Sequence, residues 1–279
     1  MSACVIMTEK SECIFFTYNG FRLHAHSFGS GSPVVLLHGF PEYWAIWRGQ
    51  INGLVNDYRV IALDLPGFNL STAPSRPNRM RSEDISEALL ALITHLGIGQ
   101  FSLIGHDIGG LLALACAARD PARIARLALV SSPHPADFIS LRAGRPPDTP
   151  KDYADRILAH DDTGLFKPER LSFWIQNSNE KSALQAAMTS SDCDAIGALY
   201  RDNLAFDDLA RWASLPAPAC SVRAIYGDSD PFLPVTMLEG PYLRSLPNVT
   251  TRKLAGGGHF LHSSHPEWLG REIREWLAL

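Results

Sequence analysis

Phe101-Ser102-Leu103-Ile104-Gly105-His106-Asp107-Ile108-Gly109-Gly110 is the stretch on which the fold turns. A short apolar run predicts a buried strand, and the glycines predict a tight turn. Leu111-Leu112-Ala113-Leu114-Ala115-Cys116-Ala117-Ala118 then predicts a helix of small residues that can pack close to a sheet. Strand, sharp turn and helix in that order make a nucleophile elbow, with the reactive side chain at its apex. The apex here is Asp107 where such elbows place a serine. A serine attacking a saturated carbon would leave an ether that water does not readily cleave. A carboxylate leaves an ester, which water can hydrolyse at the carbonyl. The aspartate therefore points to a strained or activated sp3 electrophile, an epoxide or an alkyl halide.

On either side of the elbow the pattern alternates. Ile14–Thr17 and Arg22–His26 flank Tyr18-Asn19-Gly20 and predict a hairpin, since Asn-Gly suits its turn. Pro33–Leu37, Tyr58–Leu63 and Ile124–Val130 read as buried parallel strands. Ser82 is expected to cap a helix running to about Leu96. From His134 to Ala219 no buried strand is evident. Strand signals return at Ser221–Tyr226 and Val249–Leu254, and a last helix is expected from about His265 to Trp276. The reading is an α/β fold: a mostly parallel, doubly wound sheet built from 1–133 and 216–279, with a helical lid inserted at 134–215.

Bulk properties narrow the function. A formal net charge of −4 and no basic run exclude a nucleic-acid footprint. The chain has no apolar run of membrane-spanning length, and residues 1–10 lack a basic start and a long apolar core, so neither a membrane span nor a signal peptide is expected. The 5 cysteines show no CxxC spacing or disulfide framework, which fits reduced thiols in a cytoplasm.

Two segments just past late strands supply partners for Asp107. They are Tyr226-Gly227-Asp228-Ser229-Asp230-Pro231 and Gly256-Gly257-Gly258-His259-Phe260. With His38-Gly39-Phe40-Pro41-Glu42, Asp64-Leu65-Pro66-Gly67-Phe68 and the elbow, they form an ordered set. That set resembles the aspartate-nucleophile branch of the α/β-hydrolase superfamily, and epoxide hydrolases most, over nearly the whole chain. The resemblance implies an α/β-hydrolase fold with Asp107 as nucleophile, His259 as the base that activates water, and Asp230 as its orienting acid. Asp228 is the alternative acid. The backbone N–H groups of Phe40 and Ile108 would form the oxyanion hole.

The same resemblance separates the chemistries. Haloalkane dehalogenases hold the halide with a tryptophan after the nucleophile and an asparagine in the HGxP loop; fluoroacetate dehalogenases use an arginine after the nucleophile. This chain has Ile108 and Phe40 at those places. Epoxide hydrolases protonate the leaving oxygen from lid tyrosines, and Tyr200-Arg201-Asp202-Asn203-Leu204 is similar to one such segment. Tyr200 is the implied donor. Tyr153, and by chemistry alone His160, are candidates for a second. Trp44 and His134 are assigned to the substrate pocket. His106 and His38 are read as structural, Glu42 as a surface or loop-anchoring residue, and His262 and His265 as solvated loop residues that make no metal set. The expected ligand is a small hydrophobic epoxide, with no cofactor and no metal. A dehalogenase, or a non-catalytic ligand-binding member of the fold, is the alternative.

Overall fold

The computed structural model describes residues 11–74, 80–146, 148–162 and 164–279. Eight strands form one sheet: β1 (Glu12–Tyr18), β2 (Phe21–Phe28), β3 (Ser32–Leu37), β4 (Tyr58–Asp64), β5 (Phe101–His106), β6 (Ile124–Val130), β7 (Ser221–Gly227) and β8 (Val249–Leu254). Their order across the sheet is β1-β2-β4-β3-β5-β6-β7-β8. The hairpin β1–β2 and the β2–β4 pair are antiparallel, and every pair from β4 to β8 is parallel. Asn19 and Gly20 both take positive φ, 48° and 89°, as the hairpin turn requires.

The central strands are buried because both faces of the sheet are covered. One face packs against the helices Ser82–His95 and Ile108–Arg119, the other against Arg48–Leu54 and Pro266–Leu277. Between β6 and β7 the described residues form helices only: Pro135–Ala143, Tyr153–Leu158, Pro168–Leu171, Ser178–Thr189, Cys193–Leu204, a 3-10 turn at Phe206–Asp208, and Leu209–Ala213. Among the described residues, no helix is long and apolar enough to cross a membrane. Residues 1–10, where no signal peptide is expected, lie outside the described residues.

One local expectation fails instructively. Ser82 is the first helical residue rather than the cap. Its N–H donates to Asn203 Oδ1 at 2.7 Å, and Asn203 Nδ2 donates to Met80 O at 2.6 Å. A buried side chain 121 residues away thus satisfies the helix start, and in doing so pins the helix Cys193–Leu204 to the sheet layer.

Candidate active site

Asp107 follows β5 with φ 49° and ψ −122°, a left-handed conformation unusual for a non-glycine residue. Such strain, on the order of 1–3 kcal/mol, persists only where the surroundings enforce it. Here Asp107 N donates to Val130 O, and Asp107 O accepts from Ser132 Oγ at 2.8 Å and Gly110 N at 2.9 Å. Close packing does the rest. A Cβ on Gly109 would lie 2.3 Å from His38 O, so only glycine lets the following helix reach β3.

The loops after β3, β7 and β8 converge on this apex. Phe40 N donates to Asp107 Oδ2 at 3.1 Å. Ile108 is the first helical residue, so its N–H has no partner within the helix. The other carboxylate oxygen, Oδ1, lies 4.0 Å from His259 Nε2. His259 Nδ1 is 2.7 Å from Asp230 Oδ2, while Asp230 Oδ1 accepts from Phe232 N and Leu233 N at 2.8 and 2.9 Å. Both oxygens of the Asp230 carboxylate are therefore engaged, and the imidazole is held in one orientation. Asp228, the alternative acid, is exposed and accepts from Gly256 N.

Tyr153 and Tyr200 line one cavity with this carboxylate. Tyr200 belongs to the helix Cys193–Leu204, which Asp192 caps and Asn203 anchors. Tyr153 opens the helix Tyr153–Leu158, whose start is a capping box between Asp152 and Asp155. Arg142 bonds both of those carboxylates. The two phenol rings lie edge to face with centroids 6.1 Å apart, and Phe40 lies 5.9 Å from each. Tyr200 Oη is buried, and its side-chain hydrogen-bonding neighbour is Tyr153. Burial raises both phenols well above their usual range; the nearby Asp107 charge comes next for Tyr153, whereas for Tyr200 its neighbour Tyr153 comes next and Asp107 after it. Both stay protonated. Tyr153 also separates two pockets. A cavity of about 30 Å³ includes Asp107, Ile108, Leu111 and Tyr200, and one of about 150 Å³ includes Phe40, His259 and Phe232.

Two pocket assignments are corrected. Trp44 stacks on His26 of β2 at 4.1 Å and packs with the core on the far face of the sheet. His134 caps the helix Pro135–Ala143, accepting from Ala136 N, and stacks on Tyr242; Pro133 and Pro135 on either side of it line the smaller cavity instead. His160, in the turn after Leu158, is exposed.

Behind His259 lies a polar cluster that the sequence did not announce. Glu42 and His262 are both fully buried, neither at the surface nor in solvent, whereas His265 is exposed. Glu42 Oε2 accepts from Gly39 N at 2.7 Å and meets His106 Nδ1 at 2.9 Å. His106 Nε2 faces the His259 carbonyl at 3.2 Å. Both ring nitrogens of His106 thus meet acceptors, which only the imidazolium can satisfy. Burial opposes that charge but Glu42 outweighs it, and the His106 pKa is raised; Glu42 in turn is held well below its usual range against its own burial. His262 Nε2 lies 2.8 Å from Glu42 Oε1 but not in the direction of a hydrogen bond. Burial pushes His262 down to about 4, as it does His134. No local signal marks His262 as buried, because its partner Glu42 is remote in the chain.

A pH dependence follows. The unfolded chain protonates these two histidines near 6.5, whereas the fold resists until about 4. Between those values the unfolded state binds more protons, so stability falls as pH drops from 6.5 to 4, by on the order of 3 kcal/mol per group. Calorimetric Tm measured across this window should fall steeply, and less so in His262→Gln. Equal slopes in the two proteins would refute the assignment to His262.

Residues 32–266 match the family model described as alpha/beta hydrolase fold. "Epoxide hydrolase 4" of Mus musculus is 28% identical over 278 residues, covering 89% of this chain and 74% of that protein. "Epoxide hydrolase 3" of Xenopus tropicalis is 40% identical over 140 residues, covering 49% of this chain and only 38% of that protein. In structure, a point mutant of an epoxide hydrolase from Bacillus megaterium superposes with a TM-score of 0.81 at 25% identity, covering 95% of this chain and 100% of that one. A Vigna radiata epoxide hydrolase mutant shares the fold at a TM-score of 0.82 and 22% identity, covering 96% of this chain and 99% of that one. With the elbow, the sheet order and this match in agreement, the chain belongs to the alpha/beta hydrolase fold family.

Proposed function

We propose that the chain is a hydrolase that opens an epoxide to a vicinal diol through an Asp107 ester, beneath a lid formed by residues 134–215. The observation that carries this reading is the pair of protonated tyrosines, Tyr153 and Tyr200, lining one cavity with a carboxylate nucleophile. An epoxide keeps its leaving oxygen attached, and that oxygen needs a proton. A halide needs none, and the residue beside the nucleophile, Ile108, is a buried apolar side chain that offers a halide no side-chain donor.

In the first step Asp107 Oδ1, the oxygen not bonded to Phe40 N, attacks a ring carbon. The carbon–oxygen bond breaks, and the departing oxygen takes a proton from Tyr200 or Tyr153. In the second step His259 Nε2 removes a proton from water, and the hydroxide adds to the ester carbonyl carbon. Charge develops on Oδ2 and is met by Phe40 N–H and Ile108 N–H. One such donor typically contributes about 10²–10³-fold. Collapse expels the diol oxygen as an alkoxide, which takes the proton held by His259. This leaves Asp107 as the carboxylic acid and the tyrosine as tyrosinate; Asp107 releases its proton to solvent as the tyrosinate takes one up, and both return to their starting states.

The test is turnover of an epoxide panel against a panel of haloalkanes and haloacids. Diol formation from epoxides without halide release from the second panel is expected; halide release alone would overturn the reading. Tyr200→Phe and Tyr153→Phe should each slow ring opening, and the double variant should lose roughly 10²–10⁴-fold, the usual share of a general acid. Pre-steady-state ester formation reads this directly. A double variant that alkylates at the wild-type rate removes the tyrosines from the mechanism.

A further inference from the structure

We propose that Cys13, His24 and His26 form a metal site on the β1–β2 hairpin, for a thiolate-binding divalent ion with zinc the best match. In the hairpin register Cys13 lies directly opposite His26, and His24 stands two residues from His26 along β2, on the same face. The three donor atoms lie within 4.8 Å of one another. Cys13 Sγ and His24 Nε2 are 3.5 Å apart. Sulfur at ~2.3 Å and nitrogen at ~2.0 Å from a tetrahedral zinc stand roughly 3.5 Å from each other, so this pair already has the separation of two ligands. By contrast, the 2.8 Å approach of His262 to Glu42 is shorter than the roughly 3.3 Å between two nitrogen or oxygen ligands of a tetrahedral zinc.

The outer shell fits as well. His24 is buried, and its Nδ1 lies 2.6 Å from Asp64 Oδ2, which leaves Nε2 directed at the thiol. A carboxylate behind a ligating imidazole fixes its tautomer and raises its basicity. Asp64 is itself fixed, accepting from Trp44 N at 2.9 Å and Asn69 Nδ2 at 2.7 Å. His26 is steadied by the Trp44 ring. Cys13 is exposed, which gives an ion a path in, and the set supplies three protein ligands with a fourth position open to solvent. None of these residues takes part in the proposed chemistry at Asp107.

The test uses full-length protein, stripped with a chelator and titrated with Co²⁺ as a spectroscopic stand-in. One equivalent should produce a thiolate-to-cobalt charge-transfer band together with tetrahedral visible bands, both discharged by Zn²⁺. Cys13→Ser should abolish the charge-transfer band, and His26→Ala should weaken binding by more than about tenfold, since a ligand matters at least as much as its outer-shell partner. A band that survives Cys13→Ser, or none at stoichiometric Co²⁺, overturns the proposal. A second measurement needs no variant. Zn²⁺ should slow iodoacetamide alkylation of Cys13 in the wild-type protein, read by peptide mass spectrometry. Rapid alkylation indifferent to Zn²⁺ would also overturn it, and would mark Cys13 instead as a thiol activated by the His24–Asp64 pair.

Discussion

Asp107→Ala should abolish epoxide turnover, by on the order of 10⁴-fold or more, the scale seen when a member of a catalytic unit is removed. No other group among those meeting at the elbow can replace it: Asp230 spends its carboxylate on His259 and two backbone N–H groups, and Glu42 is sealed behind His106. The wild-type protein permits a sharper version of the experiment. In a single turnover in ¹⁸O water, the new diol oxygen should come from Asp107 and be unlabelled, while the label enters the Asp107 carboxylate. Later turnovers should then yield labelled diol. A labelled diol in the first turnover, with Asp107 unlabelled, would mean that water attacks the epoxide directly and that the ester is absent. Unchanged circular dichroism of Asp107→Ala separates loss of chemistry from loss of fold.

His259→Gln should stop the reaction halfway. Glutamine can keep a hydrogen bond to Asp230 but cannot take a proton from water. Ester formation depends on Asp107 and the lid tyrosines, so it should continue. Mixing with an epoxide should give about one equivalent of burst and a protein heavier by the mass of the whole substrate, since ring opening expels no atom. Turnover after the burst should fall on the order of 10⁴-fold. A variant that cycles at the wild-type rate would remove His259 from its role. The adduct, mapped to the peptide carrying Asp107, would also identify which epoxides fit the lid.

The geometry explains why these residues could be picked out along the chain while others could not. Asp107, Asp230 and His259 stand just past β5, β7 and β8, where a parallel sheet gathers its loops at one edge. Strand signals are local, so the order of strands carried the order of the site. Ser82 misled because its cap partner, Asn203, lies in another segment. Trp44 and His134 misled because an aromatic side chain next to a pocket motif can as easily face the core or a helix end. Glu42 anchors its own loop through Gly39 N, one of the two readings given for it, while His262 read as solvated because a loop histidine carries no local sign of burial.

By itself the chain determined the alternation of strands and helices, the elbow and its aspartate, and which histidine and carboxylate stand as candidates for its base and acid. These rest on short-range patterns: apolar runs, glycines where backbones cross, and carboxylate and imidazole placed at strand ends. Tertiary structure alone decided that Tyr153 joins Tyr200 in lining one cavity with Asp107, that Glu42, His106 and His262 share one buried polar cluster, and that Cys13 meets two histidines across a hairpin. The physical reason is the same in each case. Such pairs depend on which faces meet when remote segments pack, and on the burial that then sets their protonation, neither of which is written in any local stretch.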